Sequence, residues 1–251
     1  MVRARLNAFA RRHPIWFGVV ATLVWMGIVV ATVQLPPHPL YGPIYLNAIG
    51  FAAGLLAVWL LGWRDRVGFR PAWPGRRLWL LAPLVALTAT YALPGLTADA
   101  YLEADPADGP YVLACMAVWC LLIGLDEELW SRGIVLAPLQ RLGPVRSAVI
   151  VAVLFANQHW LNFVFFGAAI DDQLAQLVSS GAFGFVLVAL RWNGVSIWPL
   201  AILHGLGDFL QLASPGAAPW WWQLAIAVLD AGYGAWLLRR ARRIGSTPGA
   251  S

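Results

Sequence analysis

The chain has 251 residues, of which 60% are hydrophobic and 12% charged, and its mean hydropathy is +0.69. A soluble domain carries about 25% charged residues, so a water-soluble protein is excluded and an integral membrane protein is expected. The net charge of +5 comes from 17 basic residues, all arginine, set in short runs between apolar segments. That spacing is a membrane-topology signal and argues against a nucleic-acid partner.

A helix needs about 20 apolar residues to cross a bilayer. In chain order such stretches fall at about 15–35, 44–63, 78–97, 111–139, 147–168, 173–190, 196–213 and 220–238. The expectation is an all-α polytopic protein with about eight transmembrane helices, forming a single domain over residues 1–251. The first stretch follows Arg11-Arg12 but is longer than a signal-peptide core, and no small-residue cleavage site follows it, so it reads as a retained helix.

The loops sort by charge. Arg3, Arg5, Arg11 and Arg12, then Arg64, Arg66, Arg70, Arg76 and Arg77, then Arg141 and Arg146, Arg191, and Arg239, Arg240, Arg242 and Arg243 all fall on one side. The other side receives 36–43, an acidic loop with Asp99, Glu103, Asp105 and Asp108, the Asp171-Asp172 pair, and 214–219. The positive-inside rule then places both termini in the cytoplasm. Arg132 alone departs from this pattern. Cys115 and Cys120 are five residues apart in an apolar span and read as small buried hydrophobes, with no disulfide framework.

Arg132 closes the run Asp126-Glu127-Glu128-Leu129-Trp130-Ser131-Arg132, inside one of the most apolar stretches. A charge in a membrane span costs roughly 2.5–3.5 kcal/mol on insertion scales, so the cluster marks a site by default. Other polar groups within spans are Asn157 and His159, His204 and Asp208, and Asp230. At 1.5 Å per residue, His204 lies roughly 12 Å and His159 roughly 20 Å in from the arginine side. A long span through Gly133–Leu139 would bring Glu127 to a similar depth.

Glu128 and Arg132 are four residues apart with the acid first, the favourable order for a helical ion pair, and His204 and Asp208 share a helix face. Asn157 and His159 do not share one. Arg132 cannot balance two glutamates, which leaves Glu127 free for chemistry. Asp126 faces another direction and reads as a pairing residue, and Asp230 as structural. A carboxylate near histidines in a dry cavity suits a general base activating water. Two histidines and a carboxylate also suit a metal with an open water position. Either route leads to hydrolysis of a carbonyl substrate, with Asn157 or a histidine stabilising the oxyanion.

The segment 126–133 resembles the E-E-x-x-x-R motif of the CPBP family of intramembrane endopeptidases, relatives of the CAAX prenyl protease. Residues 154–160, with Phe155 and His159, are similar to the family's F-x-x-x-H motif. Residues 196–208, with His204 and Asp208, are similar to its H-x-x-x-N/D motif, and 63–71 to its L-G-x-R element. The resemblance spans about residues 60–215. It implies an endopeptidase of a bacterial inner membrane, working in a membrane-embedded cavity open to the cytoplasm. Glu127 would activate the water, Glu128 and Arg132 would support it, and His159, His204 and Asp208 would complete the site. If the mechanism uses zinc, Glu127, His159, His204 and Asp208 are the implied ligands; otherwise no cofactor is needed. The implied partners are a peptide or protein substrate and the lipid bilayer.

Ser131 stands where the family often has an aromatic residue, and Asp208 where it often has Asn, which as an ionised acid cannot donate a hydrogen bond. No H-E-x-x-H string is present, nor a rhomboid-type serine element, and the G-x-G-D string at 205–208 has no clear second aspartate. The alternative is a non-proteolytic membrane protein of the same fold: a scaffold, an immunity-type factor or a proton-linked carrier.

Overall fold

The computed structural model describes residues 2–35, 41–70, 77–92, 109–167, 169–213 and 220–243. Within them every regular element is a helix: α1 (Val2–Arg12), α2 (Pro14–Val33), α3 (Tyr41–Leu61), α4 (Ala82–Ala89), α5 (Gly109–Glu128), α6 (Leu136–Leu139), α7 (Pro144–Gln158), α8 (Trp160–Phe166), α9 (Ile170–Trp192), α10 (Ile197–Leu212) and α11 (Trp220–Arg243). Four helical segments of the described residues are long and apolar enough to cross a membrane: Pro14–Val33, Tyr41–Leu61, Pro144–Phe165 and Ile170–Trp192. The protein is an all-α integral membrane protein.

The expected spans meet these helices with informative differences. The span at 78–97 begins as a 3₁₀ turn, Leu78–Leu81, and runs through α4; its last residues lie outside the described ones. So do His38, Arg76, the acidic loop with Asp99, Glu103, Asp105 and Asp108, and 214–219. The span at 111–139 is not one regular helix. After α5 the backbone widens into a π-helix, Leu129–Val135, before α6. The span at 147–168 breaks at His159, which ends α7 and begins α8. The arginine-bearing start of the chain is itself the helix α1, tied to the end of α3 by Arg3 Nε (3.2 Å) and Asn7 Nδ2 (3.1 Å), both donating to Leu61 O.

The arginine-bearing helix ends meet at one end of the bundle. Arg141 donates to Arg11 O, Arg77 donates to Asn193 O (2.9 Å), and Arg240 lies over the Trp79 ring. Residues 62–70 pack there as a series of turns. Gly68 O accepts from the Ile197 amide at 3.0 Å, Phe69 O accepts from Trp198 Nε1 at 2.9 Å, and Val67 is fully buried against Gly133 of the π-helix.

Helix α10 lies against α5 at very close range, and two glycines make this possible. A Cβ on Gly124 would stand 2.1 Å from Ala201 O, and one on Gly205 would stand 2.5 Å from Cys120 O. Apolar lipid gives helices no hydrophobic reason to associate, so close backbone approach over small residues carries the packing. This contact sets the end of α5 beside the middle of α10. It is the step that assembles the site.

Candidate active site

The two adjacent glutamates point to different places. Glu128 has no exposed side-chain surface, and its Oε1 lies 3.0 Å from Arg132 Nη1. The same oxygen accepts from His204 Nδ1 at 3.0 Å. The Arg132 guanidinium carbon sits 3.9 Å from the Phe155 ring centroid, so this buried cation meets a carboxylate and an aromatic face together. Phe155 also packs edge-on to His159 (5.1 Å) and His204 (5.9 Å), which makes it the apolar hub between the two histidines.

Glu127 keeps 14% of its side chain exposed and faces a cavity. Its Oε2 is 3.8 Å from His204 Nε2, and Asp208 Oδ2 approaches that nitrogen to 3.7 Å from one turn along α10. His204 is therefore fixed at Nδ1 and presents Nε2 to two carboxylates. The His159 ring is held by a 3.0 Å contact from Nδ1 to Phe155 O; in the neutral ring Nδ1 is then the donor and Nε2 the lone-pair nitrogen. The break between α7 and α8 puts this residue at the cavity wall.

Two expected residues lie elsewhere. Asp126 is fully buried on the opposite side of α5, accepting from Trp25 Nε1 at 3.0 Å above the Cα of Gly50. Asn157 is exposed, its amide turned back to donate to Val153 O at 2.8 Å, and it lines neither cavity described here. The expectation that Asn157 stabilises an oxyanion is corrected: the amide at the cavity wall is that of its neighbour Gln158, whose Oε1 has no hydrogen-bond partner among the described residues. The one-residue difference is helix phase, since adjacent residues on α7 point about 100° apart.

The main cavity, about 890 Å³, is lined by Glu127, His159, His204 and Asp208 together with Gln158, Gln176 and apolar side chains from α2, α3, α5 and α8. A smaller cavity of about 140 Å³ adjoins the same histidines and reaches Tyr91 and Asp230. Asp230, which reads as an isolated structural acid in the sequence, thus shares a cavity wall with His159, His204 and Asp208.

Among the described residues, no group of three or more His, Cys, Asp or Glu side chains could hold a metal ion. Nδ1 of each site histidine is engaged, by Glu128 and by Phe155 O, which leaves Nε2 as the remaining nitrogen of each ring. The expected zinc-ligand role for Glu127, His159, His204 and Asp208 is not supported.

Residues 109–210 match the family model described as Type II CAAX prenyl endopeptidase Rce1-like. The match supports the resemblance of this segment to the CPBP/CAAX-protease family. The matched stretch carries Glu127, Glu128, Arg132, His159, His204 and Asp208, all the residues of the polar cluster. Neither a curated protein nor a solved structure matches the chain.

Proposed function

We propose that this CAAX-protease relative is an intramembrane endopeptidase that hydrolyses a peptide bond with a water activated by Glu127. The observation that carries the reading is the junction at His204: Nδ1 held by Glu128, and Nε2 facing Glu127 and Asp208 at 3.8 and 3.7 Å. Those gaps exceed a direct hydrogen bond, and polar groups so spaced are commonly bridged by water.

In this scheme the Glu127 carboxylate takes a proton from water as the oxygen attacks the carbonyl carbon. The oxyanion forms beside His204 and Gln158, where the Nε2–H of the His204 imidazolium and the Gln158 amide N–H are the available donors. Glu127 then returns the proton to the amide nitrogen, the C–N bond breaks, and a carboxylate and an amine leave. Glu128 and Arg132 hold His204 in place without touching the substrate. Asp208 orients His204 from the cavity side.

The protein sits in a bacterial cytoplasmic membrane in this reading, crossing it about eight times with both termini and the arginine-bearing end in the cytoplasm. Its partners are a membrane-delivered peptide or protein and the surrounding lipid. The test uses protein reconstituted in liposomes and a mixed peptide library, with products read by mass spectrometry. Glu127→Gln should lower cleavage by roughly 10²–10⁴-fold, the usual contribution of a general base, while the melting temperature in detergent stays unchanged. Undiminished cleavage by this variant would sink the proposal. Loss of no cellular function in the same variant would instead favour a non-proteolytic scaffold.

A further inference from the structure

The small cavity beside the histidines has its own chemistry. It holds about 140 Å³, and a cavity of about 150 Å³ takes a benzene-sized group, so it has room for one side chain. His159, Gln176, His204, Asp208 and Gln211 line both this cavity and the main one, so the two recesses share a wall at the polar cluster. Helix α11 lines it from another side. Gln223, Ile226, Ala227 and Asp230 lie there at the i, i+3, i+4 and i+7 spacing of one helix face.

Asp230 is the acid of this cavity that the cleavage scheme does not use. It is 3% exposed, and its Oδ1 has no hydrogen-bond partner among the described residues. No arginine lines the cavity, and the chain has no lysine. The segments 93–108 and 214–219, which adjoin Tyr91 and α11 in sequence, contain no arginine, lysine or histidine. The polar groups around Asp230 are disposed to accept. Ser179 Oγ donates to Gln176 O at 3.2 Å and Ser180 Oγ donates to the same oxygen at 2.6 Å, which leaves hydroxyl lone pairs for a ligand. Gln211 Nε2 donates to Gly207 O at 3.4 Å, so its carbonyl oxygen remains as an acceptor.

A buried carboxylate among acceptors is costly until a donor arrives. Resting on the endopeptidase reading, we infer that this cavity is a specificity pocket for a basic substrate side chain, whose charged end meets Asp230 while the scissile bond lies at Glu127. Asp230 and the rest of α11 fall outside the stretch that matches the family model, so the preference belongs to this chain and not to the shared motifs.

Peptide binding without turnover tests the pocket separately from the catalytic assay. Glu127→Gln protein in zwitterionic nanodiscs is offered two blocked peptide pools, identical except that a central lysine in one is norleucine in the other. Retained peptides are counted by mass spectrometry. The lysine pool should be retained roughly tenfold better, the effect of one charge-assisted hydrogen bond. Asp230→Asn in the same background should remove the difference. Ala227→Leu, which fills the cavity next to Asp230 and leaves every charge in place, should remove it too, and decides the matter if Asp230→Asn does not fold. Equal retention of the two pools by the Glu127→Gln protein overturns the inference, as does a lysine preference that survives either second substitution. Cleavage that depends on Glu127 without any lysine preference would refute the pocket and leave the endopeptidase reading standing. A lysine preference that depends on Asp230, in a protein that cleaves nothing, would support the pocket and refute that reading.

Discussion

His204 Nδ1 meets Glu128 Oε1 at 3.0 Å across 76 residues of sequence, on the same oxygen that faces Arg132 at 3.0 Å. One buried carboxylate oxygen thus joins the ion pair to His204, and Glu128 Oε2 has no partner among the described residues. Removing one member of a buried pair strands the other charge, at a cost of roughly 3–5 kcal/mol, whereas replacing both with apolar groups is often neutral. Arg132→Met should therefore lose most folded protein, and Glu128→Leu with Arg132→Met should recover it. Thermal melts of the detergent-solubilised variants check this. The recovered double variant should still lack activity, because His204 has lost its anchor. A double variant no more stable than Arg132→Met would refute the pairing argument.

The α5–α10 contact makes a second prediction. A Cβ at Gly205 would meet Cys120 O at 2.5 Å, a backbone atom that cannot step aside without moving the helix. Two positions on, a Cβ at Gly207 would meet only Thr88 Cγ2 at an ordinary 3.6 Å. Overpacking costs about 1–3 kcal/mol, so Gly205→Ala should lower the melting temperature by several degrees and reduce activity further by parting Glu127 from His204. Gly207→Ala should do neither. Equal melts for the two would remove the argument.

Charge and length made much of this architecture readable. The arginines that alternate between spans in the sequence do gather at one end, since a guanidinium outside its pair at Glu128 is costly in lipid. The three polar motifs were readable because nothing else explains acids and histidines in apolar helices. Backbone departures were not readable. The π-helix at Leu129–Val135 has the same apolar composition as an α-helix, yet it resets the phase of every side chain beyond Glu128. The break at His159 carries no proline or glycine to announce it.

Helix phase also separates two neighbouring amides. Asn157 is exposed and bonded to its own helix, while Gln158 is buried at the cavity wall with Oε1 unpartnered among the described residues. Gln158→Ala should reduce kcat/KM by roughly tenfold or more, about 1.4 kcal/mol of transition-state stabilisation. Asn157→Ala should stay within about twofold of the unaltered protein. Steady-state cleavage of one peptide by both variants decides it, and a larger loss at Asn157 would reverse the assignment.

The final prediction concerns metal. Glu127, Asp208 and His204 Nε2 face one another, but among the described residues no group of three or more His, Cys, Asp or Glu side chains is placed to hold an ion. A water activated by Glu127 needs no Lewis acid, so cleavage should continue within about twofold after exhaustive treatment with EDTA or 1,10-phenanthroline. Elemental analysis of the purified protein should find zinc well below one equivalent. If chelation abolishes cleavage and zinc alone restores it, the site must rearrange to bring His159 to His204, and Glu127 would act on a metal-bound water instead. His159→Ala separates the two outcomes. In the metal-free scheme it lowers turnover and leaves metal content unchanged; in the other it releases the ion.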